Sequence, residues 1–167
     1  MMNLLFSSRA NGRFSNQRGK SLLDGPHWYD SYRCSDNKFI TIGALEPKFY
    51  QLLLSKLELS ADKDFCDQLD SEKWPAQKDK LRHIISQHSQ AYWCSLLEGS
   101  DVCFSPVLDP DQAAQHPHNR AREVFSMRNN HLEANPAPRF HNHPFAAPAN
   151  AQMVSCGEIV SLWSKQA

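Results

Sequence analysis

The sequence predicts a mixed α+β domain carrying extended arms, and three observations lead there. A short β-rich run, Phe39-Ile40-Thr41-Ile42, follows the turn-like Ser35-Asp36-Asn37. Apolar residues recur at helical spacing in Phe49, Leu53 and Leu57, and again in Leu81, Ile84 and Ile85, with His88 on the same face. Most of the ten prolines and eight histidines lie after Leu108, so the end of the chain is less able to build regular structure than the middle.

Taken in order, residues 1–25 are rich in Ser, Asn, Gly and Arg without periodicity and read as an arm or linker. Trp28-Tyr29 and Tyr32, with the run at 39–42, suggest two strands joined by a tight turn. Pro47 suits the first turn of a helix that continues through Leu57. A second helix is expected from Trp74 to His88. A third is expected from Gln90 to Leu97, opened by Ser89 and closed by Gly99. Val102 to Leu108 reads as a buried strand, with Cys103 as a small apolar side chain inside it. Asp109-Pro110-Asp111-Gln112 has the cap, proline and third-position glutamine of a helix start. The segment 135–140 holds Pro136 and Pro138 and should be extended. A short amphipathic stretch, Glu158 to Trp163, closes the chain. The expected organisation is an arm (1–25), a small α+β domain (26–128) and an extended proline-rich arm (129–167).

Composition narrows the function classes. At 167 residues, with 41% hydrophobic side chains, one modest core is affordable. Eighteen basic residues balance eighteen acidic ones, which argues against a nucleic-acid or membrane-surface partner. The one basic cluster, Arg9, Arg13, Arg18 and Lys20, reads as a solvated linker. No apolar run is long enough for a membrane span, and the first six residues do not resemble a secretory signal. Five scattered cysteines suit reduced thiols, so a cytoplasmic setting is expected. His116 with His118, and His141 with His143, have chelating spacing. No Cys or acidic partner stands at ligand distance, and no metal site is expected.

Several blocks, in order, resemble CoA-transferase family III (the CaiB/BaiF-like proteins), and within it the branch that racemises 2-methylacyl-CoA thioesters. They are Leu22-Leu23-Asp24-Gly25, Tyr29-Asp30-Ser31-Tyr32-Arg33 and Gly43-Ala44-Leu45-Glu46-Pro47-Lys48-Phe49-Tyr50. Trp93-Cys94, Gly99-Ser100-Asp101-Val102-Cys103, Pro106-Val107-Leu108, His116-Pro117-His118-Asn119 and Pro136-Ala137-Pro138-Arg139-Phe140 follow. The match runs from about residue 18 to 145. Three departures stand inside it. Asn37 occupies a usual glycine position, one residue is missing before Trp28, and His88-Ser89 replaces a Thr-Arg pair.

The resemblance implies that this chain corresponds to the small domain of a longer enzyme. The large Rossmann-like domain is absent from it, and with that domain the histidine and aspartate that exchange the proton alpha to the thioester. The residues alone leave Glu46 either as a plain helix-start carboxylate or as an acid–base group, since it precedes Pro47 beside free backbone N–H groups. The family pattern implies the second: a catalytic Glu46 that assists proton exchange beside the large domain's groups. Gly43 and Tyr29 are candidate substrate-binding residues, with turn geometry and packing as their alternative explanations. The implied partners are an acyl-CoA thioester, a large-domain half or second chain, and a second copy in an interlocked dimer. No separate cofactor is implied, because CoA arrives as part of the substrate. CoA transfer between carboxylic acids and a non-catalytic binding or dimerisation module are the alternative functions.

Overall fold

A computed structural model describes residues 2–140, 142 and 154–164. The chain divides after Asp109 into two compact units, so the span read as one small domain, 26–128, crosses that division. Among the described residues, no helix is long and apolar enough to cross a membrane.

The first unit is organised on a three-stranded antiparallel sheet in the order β1-β2-β3. Strand β1 (Tyr29–Arg33) pairs with β2 (Phe39–Gly43), placing Tyr29 opposite Gly43 and Tyr32 opposite Ile40. The connecting turn is closed by the Cys34 N–H on the Lys38 carbonyl, at 2.8 Å, and by Asn37 in the left-handed region at φ 64°. Asn is among the few side chains that tolerate that conformation, so Asn37 holds the turn at little cost. Strand β3 (Phe104–Val107) lies on the other side of β2, and its Pro106 is tolerated because β3 is an edge strand. The period-2 alternation turns Ile40 and Ile42 of the central strand inward, where they are buried.

Helices cover that inner face. After α1 (Met2–Ala10), α2 (Pro47–Lys56) opens with its proline and buries Tyr50 and Leu53. Helix α3 (Trp74–Ile85) buries Trp74, Gln77, Leu81 and Ile85, a stripe at three- and four-residue steps. Helix α4 (Gln90–Leu97) is capped by the Ser89 hydroxyl accepting from the Tyr92 N–H, and it buries Trp93 and Leu97. Gln90 ties α4 to the sheet, its amide nitrogen donating to the carbonyls of Phe39 (2.7 Å) and Val107 (3.0 Å). Trp28, Tyr32, Ile40, Leu53, Leu81, Ile85, Trp93, Leu97 and Val102 form one core cluster.

Several expectations are corrected. Residues 2–10, within the span read as an arm or linker for want of periodicity, form a helix that buries none of its residues. The rest of the expected linker is partly built into the unit, for Ser21 and Gly25 are buried. Asp24 accepts the N–H groups of Gly19 and Ser21 at 2.9 and 2.8 Å, closing this loop. The second predicted helix ends at Ile85, with His88 exposed beyond it. Cys103 is exposed, not buried: inward and outward positions alternate from Val102 to Val107, and Cys103, at φ 53° just before β3, falls on the outward side.

The second unit starts as expected with α5 (Pro110–Gln115), followed by α6 (Pro117–Ala121). Within the span read as an extended arm, the described residues include a strand and a helix. Strands β4 (Phe125–Arg128) and β5 (His131–Ala134) pair as a hairpin around Asn129 and Asn130, both at positive φ, the signature of a two-residue turn matched to strand twist. Helix α7 (Cys156–Ser164) contains the predicted amphipathic stretch.

Candidate functional site

The junction between β2 and α2 positions the candidate site. Gly43 ends the strand, the Leu45 N–H bonds back to the Gly43 carbonyl at 2.9 Å, and Glu46 becomes the N-cap of α2. Its backbone carbonyl accepts from both Phe49 and Tyr50 N–H groups at 3.0 Å. The Glu46 side chain makes no capping bond to the helix it starts, and the residue is exposed. A carboxylate left out of its own cap at the positive end of a helix remains available to other groups.

Glu46 lines an open cleft of about 510 Å³, bordered by Leu22, Leu45, Leu69 and Trp74 with the cationic side chains Arg13 and Lys20. Lys20 is paired with Glu72 at 3.1 Å. The wall behind Glu46 is rigid. The side-chain nitrogen of Gln68 donates to the carbonyls of Ala44 (3.2 Å) and Leu45 (2.8 Å). The Gln68 carbonyl in turn accepts from the indole N–H groups of Trp28 (3.1 Å) and Trp74 (2.9 Å).

Tyr29 and Gly43 meet across β1 and β2, and a Cβ placed on Gly43 would lie 3.6 Å from the Tyr29 ring and 3.8 Å from Cys103 Cβ. Those are ordinary contact distances, so the site does not demand a glycine at 43 for space. Tyr29 is 41% exposed, whereas Tyr32 is buried with its hydroxyl donating to the His27 carbonyl. Neither Tyr29 nor Gly43 lines the cleft with Glu46; Gly43 stands beside Cys103 instead, its N–H donating to the Cys103 carbonyl at 2.9 Å. Partial desolvation raises the Cys103 thiol, and the negative charges of Glu46 and Asp101 raise it further, which makes this thiol a weak nucleophile.

Beneath the site, His27 is fully buried and its Nε2 lies 2.8 Å from the Tyr50 hydroxyl. Because that hydroxyl gives its one proton to the Phe65 carbonyl at 3.0 Å, Nε2 carries the hydrogen and donates. Burial, followed by the charge of Lys78, lowers the His27 pKa to about 4, so the ring is neutral and structural.

No group of three or more His, Cys, Asp or Glu side chains is arranged to hold a metal among the described residues. His116 and His118 flank the first residue of α6, while the second histidine pair, residues 141 and 143, lies outside the described residues. The structure places the candidate Glu46 on this cleft, while sequence reasoning missed Gln68 and the exposure of Cys103. Gln68 contacts a segment more than twenty positions away, and no local pattern announces such a bond.

The assembly is that of a small α+β domain presenting one uncommitted carboxylate to a cleft. The model of CoA-transferase family III matches residues 1–154, and the chain belongs to that family. It is 34% identical over 160 residues to alpha-methylacyl-CoA racemase of Mus musculus, covering 95% of this chain and 42% of that protein. It is 35% identical over 129 residues to alpha-methylacyl-CoA racemase of Homo sapiens, covering 76% of this chain and 34% of that protein. The chain therefore spans well under half the length of these curated relatives. A similar fold occurs in the crystal structure of Rv3272 from M. tuberculosis, with a TM-score of 0.60 at 16% identity, over 86% of this chain and 37% of that one.

Proposed function

We propose that this chain supplies the small-domain part of an acyl-CoA racemase that epimerises 2-methylacyl-CoA thioesters by 1,1-proton transfer. In that reaction a base removes the proton alpha to the thioester, the electron pair moves into an enolate, and an acid returns a proton to the opposite face. Glu46 assists this exchange, acting beside a histidine and an aspartate of the large domain. A second copy in an interlocked dimer completes the assembly. The observation that carries the reading is Glu46 itself, exposed on an apolar-walled cleft and not engaged in capping its helix. The apolar border of Leu22, Leu45 and Leu69 suits the acyl portion of such a substrate, and Arg13 adds positive charge beside it.

The test joins this chain to the large domain of a family relative and supplies a 2-methylacyl-CoA in deuterated water. Deuterium at C2 above the buffer rate supports racemisation. No deuterium, with CoA passing to an added carboxylic acid, would replace it with the transferase reading. This chain alone is expected to exchange nothing.

A further inference from the structure

Gln68 is the residue through which the fold fixes the Glu46 junction. Between β2 and α2 the backbone runs through Ala44 and Leu45, whose carbonyls have no strand partner to accept. One side-chain amide satisfies both, at 3.2 and 2.8 Å, from the loop between the 3₁₀ turn at Lys63–Phe65 and α3. That amide is itself anchored. Two indole N–H groups, from Trp28 just before β1 and from Trp74 at the start of α3, converge on the Gln68 carbonyl. Both tryptophans are buried, at 0% and 4% exposure, so neither donor is free to swing away. Trp28 also holds the junction directly, its carbonyl accepting the Ala44 N–H at 3.0 Å. A buried tryptophan pair thus grips the backbone of Gln68, and the side chain of Gln68 grips the two peptides before Glu46.

From this geometry we infer that Gln68 is a positioning residue for the carboxylate of Glu46, setting its place at the cleft without touching substrate chemistry itself. The inference rests on the proposed role of Glu46. It has a physical rationale of its own, because the Glu46 side chain makes no capping bond that would hold it locally. Orientation must come from the backbone behind it. Placement of a reacting group matters steeply: an error near 1 Å can cost about 10²-fold in rate.

The test uses Gln68→Leu, which keeps bulk and removes both donors, and Gln68→Asn, which keeps the amide on a shorter stem. In this chain alone, amide hydrogen exchange is measured at Ala44, Leu45, Phe49 and Tyr50, with Trp93 of α4 as an internal control. Gln68→Leu should speed exchange at those four amides by about tenfold and leave Trp93 unchanged, with Gln68→Asn intermediate. Equal acceleration everywhere, or none at the junction, would overturn the inference whatever Glu46 does. In the enzyme joined to a large domain, Gln68→Leu should lower kcat for alpha-proton exchange by about 10–100-fold with little change in KM. Adding it to Glu46→Gln should cost almost nothing more, because the two act as a unit. Full additivity of the two losses would show that Gln68 acts by some other route. If Glu46→Gln alone leaves the rate unchanged, the functional proposal fails, while the exchange pattern at the junction still decides the anchoring.

Discussion

Acid should destabilise the first unit through a buried side chain, His27. In the fold its ring is neutral, with a pKa held to about 4 by burial and then by Lys78. In the unfolded chain the same group titrates near its ordinary value of about 6.5. Between these two values the unfolded state binds the extra proton, so stability falls as the pH drops from 6.5 towards 4 and is unaffected by this group above 6.5. The displacement corresponds to a loss of about 3 kcal/mol at the low end, at about 1.4 kcal/mol per pH unit. The geometry supports the sign. Nδ1 is buried with no hydrogen-bond partner among the described residues, so a proton placed there would be both charged and unpaired. The nearest ammonium, Lys78, is engaged with Asp30 at 2.8 Å and adds repulsion. Urea unfolding at a series of pH values between 7.5 and 4 (about one-half unit apart, spanning the two titration midpoints) would measure it. His27→Gln retains a donor for the Tyr50 hydroxyl and cannot take up the proton. The wild type should lose stability over this range by about 3 kcal/mol more than His27→Gln. Parallel pH profiles for the two proteins would refute the assignment of His27 as the buried neutral ring.

Two further outcomes follow from the packing. A Cβ on Gly25 would stand 2.7 Å from the Trp74 ring and closer still to the Gly19 carbonyl, so Gly25→Ala should cost about 1–3 kcal/mol in thermal or urea unfolding. A loss under about 0.5 kcal/mol would show that the loop moves aside. Thiol labelling followed by mass spectrometry should modify Cys66, Cys103 and Cys156 well before Cys34, which is buried and pushed up to about 11 by desolvation and by Asp36. Early labelling of Cys34 would mean that the hairpin at its side opens readily.

Much of the first unit was legible because its signals are local. Ser89 and Gly99 bracket α4 as written, since a hydroxyl cap and a glycine at φ 74° act within one turn of the helix ends. Pro47 and the four-residue recurrence through Leu57 gave α2 for the same reason. The failures have equally physical causes. Val102-Cys103-Phe104 looks like a continuous apolar run, yet only alternate positions face the core, so Val102 is buried and the Cys103 thiol is exposed. The hairpin of β4 and β5 was missed because β5 is exposed throughout and shows no apolar alternation; only the Asn129-Asn130 pair marked the turn. At the candidate site, the position of Glu46 before Pro47 marked a helix-start carboxylate, and only the family resemblance singled it out as a candidate acid–base group. Gln68 could not be found, because its role depends on tertiary contacts with Trp28 and Trp74.

The most direct measurement of the central claim is the rate of alpha-proton exchange with Glu46 changed. Glu46→Gln preserves shape and polarity while removing the charge and the ability to take a proton. In the chain joined to a large domain, deuterium entry at C2 of a 2-methylacyl-CoA should slow by about 10²–10⁴-fold. In the chain alone, the same change should move stability by less than about 1 kcal/mol, because the carboxylate is exposed and makes no cap bond. An unchanged exchange rate in the joined enzyme would contradict the account and leave Glu46 as the first residue of a helix and nothing more.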